Sequence, residues 1–152
     1  MKKLALLIVI VSIALIAAWL PARAEEKEEA AVRQTLNYYL QGHATGNGEF
    51  HKKAFHPEAK LFWIRDGQFA TRTSAEYIAG ASGKPAEDEA ERKRSIASID
   101  ITGNAAIAKI ILDYPSGRFT DYMSLLKVDG EWKIVNKTFV VEPKARPANA
   151  SE

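Results

Sequence analysis

The sequence predicts one α+β domain, a cone-like curved antiparallel sheet covered by three helices, and three observations carry that prediction. From Glu28 to just past Gly42, the residues Val32, Leu36, Tyr39, Leu40 and His43 recur on one helical face. From residue 60 the apolar period changes to two, cut by Asp66-Gly67, Gly103-Asn104 and Asp129-Gly130, pairs that suit hairpin turns. Helical segments come first and long strands last, the order that packs helices on one face of an antiparallel sheet.

The first 24 residues read as a secretory signal. Lys2 and Lys3 precede an apolar run from Leu4 to Leu20; Pro21 ends it, and Ala22-Arg23-Ala24 gives the small-x-small pattern cut by signal peptidase. Cleavage after Ala24 is expected, with a secreted or periplasmic destination; a retained anchor is the competing reading, because a 17-residue run broken only by Ser12 approaches a bilayer span. Removing Lys2, Lys3 and Arg23 takes 21 basic residues to 18, against 19 acidic ones. The mature chain is then slightly acidic, and no basic patch interleaved with aromatics points to nucleic acid. After cleavage no membrane contact is expected. There is no cysteine, so the domain at 25–142 must rest on burial alone.

The elements follow in order. Glu28–Gly42 is the first helix, acidic in its first turn, with Gly42 and Gly46-Asn47-Gly48 as its stop. Asn47 caps a second helix through Phe55, closed by His56-Pro57. Lys60–Arg65 and Gln68–Thr73 form a hairpin, and Ala75–Ala81 is a third helix carrying Tyr77 and Ile78. Residues 82–94 are a solvated polar connection. Ser95–Thr102, Ala105–Tyr114, Phe119–Val128 and Glu131–Val141 are the long strands, and residues 143–152 read as a disordered Pro/Ala tail. A sheet this curved, closed by a long first helix, leaves a blind pocket at its wide end.

The resemblance rests on Tyr38-Tyr39-Leu40-x-Gly42, Ala54-Phe55-His56-Pro57-x-Ala59, Phe119-x-Asp121-Tyr122 and Gly130-x-Trp132-Lys133-Ile134-Val135. In that order and spacing the chain resembles the nuclear transport factor 2-like superfamily, the fold of ketosteroid isomerases and polyketide cyclases. Within it, the chain is most similar to the exported bacterial branch called the putative lumazine-binding family. By that resemblance Tyr39 stands where the isomerases keep an oxyanion-hole tyrosine, and Asp121 stands near their protonated carboxylic acid. Trp63 falls at about the position of their proton-shuttling aspartate. Indole cannot take a proton from carbon, so isomerisation by that route is not expected.

The turn at Asp129-Gly130 sets a register for the last hairpin: Val128 opposite Glu131, Leu125 opposite Ile134, Met123 opposite Asn136 and Asp121 opposite Thr138. Trp132 and Ile134 are too apolar to face water, so Asp121, Met123, Asn136 and Thr138 are expected inward with them. Tyr122, Leu126, Val135, Lys137 and Phe139 then lie on the outer face, where a second copy would make a homodimer. An inward Asp121 either accepts structural hydrogen bonds or serves as an acid or base. His43 follows the helix-one face and is either a helix-end cap or a pocket base.

Tyr39, Phe55, Trp63, Tyr77, Tyr114, Phe119 and Trp132 are candidate pocket aromatics. The expected ligand-binding set is Tyr39, His43, Phe55, Trp63, Tyr77, Tyr114, Asp121, Met123, Asn136 and Thr138. His51 and His56 lack metal-ligand spacing, no phosphate loop or nucleophile elbow is present, and neither metal nor cofactor is expected. The leading reading is a non-catalytic binder of a small aromatic or apolar molecule. An acid-base enzyme of dehydratase, cyclase or isomerase type, using Asp121, Tyr39 and His43, is the second reading. A dimeric interaction module is the third.

Overall fold

The structure, a computed structural model, describes residues 2–144, with side chains at residue 23 and from residue 25 onward. The first helix, α1 (Lys2–Thr45), contains Ala24 and runs on through Gly42. Gly42 is therefore no stop signal. A Cβ there would overlap Nε2 of His51, so the glycine lets that ring pack against the helix backbone. The helix ends before Gly46, which takes the left-handed φ of +66° that favours glycine.

Asn47 Oδ1 accepts from the Glu49 amide at 2.9 Å and caps α2 (Gly48–Ala54). The helix closes one residue earlier than expected, and Phe55 opens β1 (Phe55–Arg65). Asp66 and Gly67 both adopt positive φ, 51° and 74°, and turn β1 into β2 (Gln68–Thr73). Thr73 and Glu76 form a reciprocal capping box that starts α3 (Ser74–Ala79), shorter than the expected helix. A polar link with one 3-10 turn, Glu89–Glu91, leads to β3 (Lys93–Thr102), β4 (Ala105–Tyr114), β5 (Gly117–Val128) and β6 (Glu131–Pro143). Pro143 still pairs with Gly117; of the expected tail, residues 145–152 lie outside the described residues.

The six strands form one sheet in the order β2-β1-β6-β5-β4-β3. Neighbours are antiparallel except β1 and β6, which run parallel with Leu61 beside Lys137. No turn signal announces that pairing, because it joins strands far apart in the chain.

The register of β5 and β6 corrects the sequence expectation over half its length. Val128 opposes Glu131 and Leu125 opposes Ile134, as the turn dictates. The register then shifts between Ser124 and Leu125, and Ser124 opposes Asn136, Met123 opposes Lys137, and Asp121 opposes Phe139. A bulge at Val135 adds one residue to β6, which exchanges the faces of everything after it. Lys137 and Phe139 turn inward, while Asn136 and Thr138 turn to the outer face.

α1 lies across the concave face. Its Val32, Leu36 and Tyr39 are fully buried against Ile110, Leu112, Met123, Leu125 and Ile134. Thr35 Oγ1 donates to the carbonyl of Trp132 at 2.8 Å and pins the helix to β6. The apolar contacts hold the helix at the narrow end and leave the wide end, near its C-terminus, open.

Candidate functional site

Alternation along β1 sends Leu61, Trp63 and Arg65 to the concave face, and Arg72 of β2 joins them by pairing with Leu61. Lys137 and Phe139 follow from β6, Leu112 and Tyr114 from β4, and Phe119 from β5. With His43 of α1 and Tyr77 of α3 these side chains enclose a cavity of about 170 Å³. The indole of Trp63 stacks on Phe139, with centroids 5.3 Å apart and an interplanar angle of 27°.

At the floor, three polar side chains meet. Tyr39 donates to Asp121 Oδ2 at 2.5 Å, and Lys137 Nζ donates to the Tyr39 hydroxyl at 2.6 Å. Nζ also lies 3.0 Å from Asp121 Oδ2. Asp121 is 0% exposed and Lys137 is 4% exposed, so the ion pair is dry. Asp121 Oδ1 has no partner among the described residues. The ammonium also faces the rings of Phe139, Tyr39 and Tyr77, at 4.8, 5.0 and 5.6 Å. Burial holds the Lys137 pKa below the ordinary lysine range, against the pull of Asp121. Burial and then the charge of Asp121 push Tyr39 well above the ordinary phenol range, so it remains a donor.

Beside this floor, Nε2 of His43 and the Tyr77 hydroxyl are 2.8 Å apart. Burial, and then the charge of Lys137, hold His43 well below the usual imidazole value, while burial pushes Tyr77 up. His43 is therefore neutral at pH 7, and a protonated Tyr77 donates to its Nε2 when Nδ1 carries the ring proton. His51 packs edge-on against Tyr39, His43 and Tyr77, and burial brings its pKa down to about 4. The far wall is held by Arg94, which donates to Tyr114 at 3.0 Å and forks onto Glu89 at 2.6 and 2.7 Å.

Of the residues expected at the pocket, His43, Trp63, Tyr77 and Tyr114 line the cavity, with Phe119. Tyr39 and Asp121 lie behind Lys137. Phe55 and Met123 are buried packing residues at 2% and 1% exposure. Trp132 is at the opposite end of the sheet, where its Nε1 donates to Glu28 Oε2 at 2.8 Å. Asn136 and Thr138 are corrected to the outer face, and Lys137 and Phe139 move from that face into the cavity, both because of the bulge at Val135. Lys137, Phe139, Arg65 and Arg72 are the residues that sequence reasoning missed. One signal was present: Trp132 and Ile134 have one parity, Phe139 and Val141 the other, and a bulge reconciles them.

The profile of the putative lumazine-binding family matches residues 27–140. The crystal structure of an NTF2-like protein of unknown function from Shewanella baltica OS155 is 30% identical, covers 78% of this chain and 96% of its own, and superposes with a TM-score of 0.70. A similar protein from Methylobacillus flagellatus KT is 29% identical over 76% of this chain and 93% of its own, with a TM-score of 0.65. Among characterised relatives, aldolase FrzH of Cladobotryum sp. is 27% identical over 119 residues, 77% of this chain and 94% of that enzyme. The profile match, the α+β cone and these neighbours agree: the chain belongs to the putative lumazine-binding family of the nuclear transport factor 2-like superfamily.

Proposed function

We propose that this protein is an exported enzyme that moves a proton next to the carbonyl group of a small molecule held in the aromatic cavity. The observation that carries the reading is the dry Lys137–Asp121–Tyr39 cluster at the cavity floor. A pocket that only binds apolar matter gains little from burying an ion pair, whose desolvation cost rivals its attraction. His43, neutral and lining the cavity, is the base in the tautomer whose Nε2–H donates to the Tyr77 oxygen, which leaves the Nδ1 lone pair to take the proton. Lys137 lines it too and places positive charge where a carbonyl oxygen gains negative charge on enolisation. Asp121 does not line the cavity and acts as a positioning residue, through Lys137 and Tyr39. The Tyr39–Asp121 hydrogen bond favours this reading over the non-catalytic binder that the sequence put first. The resemblance to an aldolase supports it as well, since aldol chemistry begins with the same proton removal.

Export rests on the features of residues 1–24, and mass measurement of the protein secreted by an expressing bacterium checks cleavage after Ala24. A homodimer through the outer sheet face is supported by Phe69, Ile107, Tyr122, Leu126 and Val140, all 41–70% exposed. Sedimentation checks it.

The catalytic test is hydrogen–deuterium exchange, followed by NMR, at the α-carbon of aryl-substituted aldehydes and ketones in D2O. The wild type is expected to accelerate exchange, and His43→Gln and Lys137→Met to lose at least about a hundredfold of it. Saturable binding of these compounds with no exchange would return the protein to the class of simple binders.

A further inference from the structure

The mouth of the cavity differs in charge from its floor. Arg65 and Arg72, on neighbouring strands, bring their guanidinium groups to the same indole, 5.5 and 5.9 Å from the Trp63 ring. Both line the cavity, and among the described residues no Asp or Glu does. Among the described residues no carboxylate lies within ion-pair distance of either. Glu76, four residues beyond Arg72, is engaged in its capping box, where Oε2 accepts from the Thr73 amide and hydroxyl at 2.8 Å each. Two other arginines of this end are ion-paired, Arg92 with Asp88 and Arg94 with Glu89. At the floor the charge of Lys137 is matched by Asp121. Glu76 feels the charge of Arg72 without pairing with it, so the cavity lining carries two guanidinium groups at its rim that have no ion-pair partner among the described residues.

Size sets the rest. A void of about 150 Å³ lined by apolar side chains accepts benzene, and this cavity is about 170 Å³. One ring fills it, so a substituent on that ring must emerge at the rim. Arginines draped on an indole have already lost much of their rotamer freedom, and their planar forks match a carboxylate.

We infer that the ligand of this cavity is a single-ring compound carrying a carboxylate, its ring against Trp63 and its anionic group bound by Arg65 and Arg72. The inference rests on reading the cavity as the substrate site and adds the substrate's class.

The test compares cinnamate with its neutral isostere cinnamamide by calorimetric titration of the full chain. Cinnamate is expected to bind at least about tenfold more tightly. That preference should fall to about twofold in Arg65→Gln/Arg72→Gln, and should shrink in about 1 M salt, where the Debye length is ~3 Å. Both arginines are exposed, and an unchanged thermal midpoint verifies that the double variant folds. Equal binding of acid and amide, or a preference that survives the double substitution, overturns the inference; so does failure of the wild type to bind either. The outcome is separable from that of the exchange experiment. Arginine-dependent cinnamate binding without exchange on any carbonyl compound upholds the ligand class and removes the enzyme. Exchange that depends on His43 and Lys137, with acid and amide bound alike, does the reverse.

Discussion

Two clusters tie helix α1 to the sheet, built from nearly the same parts. At the narrow end Glu28 accepts from Lys127 Nζ at 2.6 Å and from Trp132 Nε1 at 2.8 Å. At the wide end Asp121 accepts from Tyr39 at 2.5 Å and lies 3.0 Å from Lys137. Each joins a carboxylate, a lysine and an aromatic donor, yet they differ in water and in saturation. The side chains of Lys127 and Glu28 are 32% and 28% exposed, and both carboxylate oxygens of Glu28 are used. Those of Lys137 and Asp121 are 5% and 0% exposed, and Oδ1 of Asp121 has no partner among the described residues. The narrow-end cluster is a screened clasp. At the wide end the charges are held out of water beside a cavity, where electrostatic effects on a bound molecule are largest.

The largest expected break in this comparison comes from Lys137→Met, which leaves a buried carboxylate without its counter-charge and should cost about 3–5 kcal/mol of stability. Chemical denaturation checks it. Lys137→Met combined with Asp121→Leu removes both charges, and this double variant should be more stable than the single one. If it is not, packing rather than charge governs the site.

Acid separates the two ends by pH. His51 has a folded pKa of about 4 against an ordinary 6.5, so between these values the unfolded chain binds a proton that the fold refuses. Stability should therefore fall as pH drops from 6.5 to 4, by on the order of 3 kcal/mol, with His43 adding in the same direction. His51→Gln should flatten that part of the profile. The carboxyl of Glu28 is held below 4.5 mainly by Lys127, so the clasp's contribution is lost only as pH falls below that value.

A steric change comes next. Gly42→Ala drives a methyl group into the buried His51 ring, which Tyr39, His43 and Tyr77 hold in place, at a cost of about 1–3 kcal/mol read from the thermal midpoint. The smallest effect belongs to the clasp. Glu28→Gln should shift the midpoint least of the four, and the shift should vanish in about 1 M salt. A shift that persists in salt would mean that the narrow end is as dry as the wide one.

Much of this was legible in the residues. Val32, Leu36 and Tyr39 announce the buried stripe of α1; Asp66-Gly67 and Asp129-Gly130 announce their hairpins; the inward parity of Trp132 and Ile134 places Asp121 and Met123 inside. Within the site, the pairing of Tyr39 with Asp121 and the cavity positions of His43, Trp63, Tyr77 and Tyr114 follow from those faces. Gly42 was misread because a glycine near a helix end reads as a stop, whereas its reason here is the ring of a residue nine positions later.

What the sequence determined by itself is the set of elements, their order and most of their inward faces, because periodicity and turn chemistry are local. The tertiary structure alone decided that β1 lies parallel to β6 and that β6 bulges at Val135. A strand's side chains alternate with a period of two, so one inserted residue exchanges its faces, and only the partner strands determine where the insertion falls. That single residue took Asn136 and Thr138 out of the cavity and put Lys137 beside Asp121.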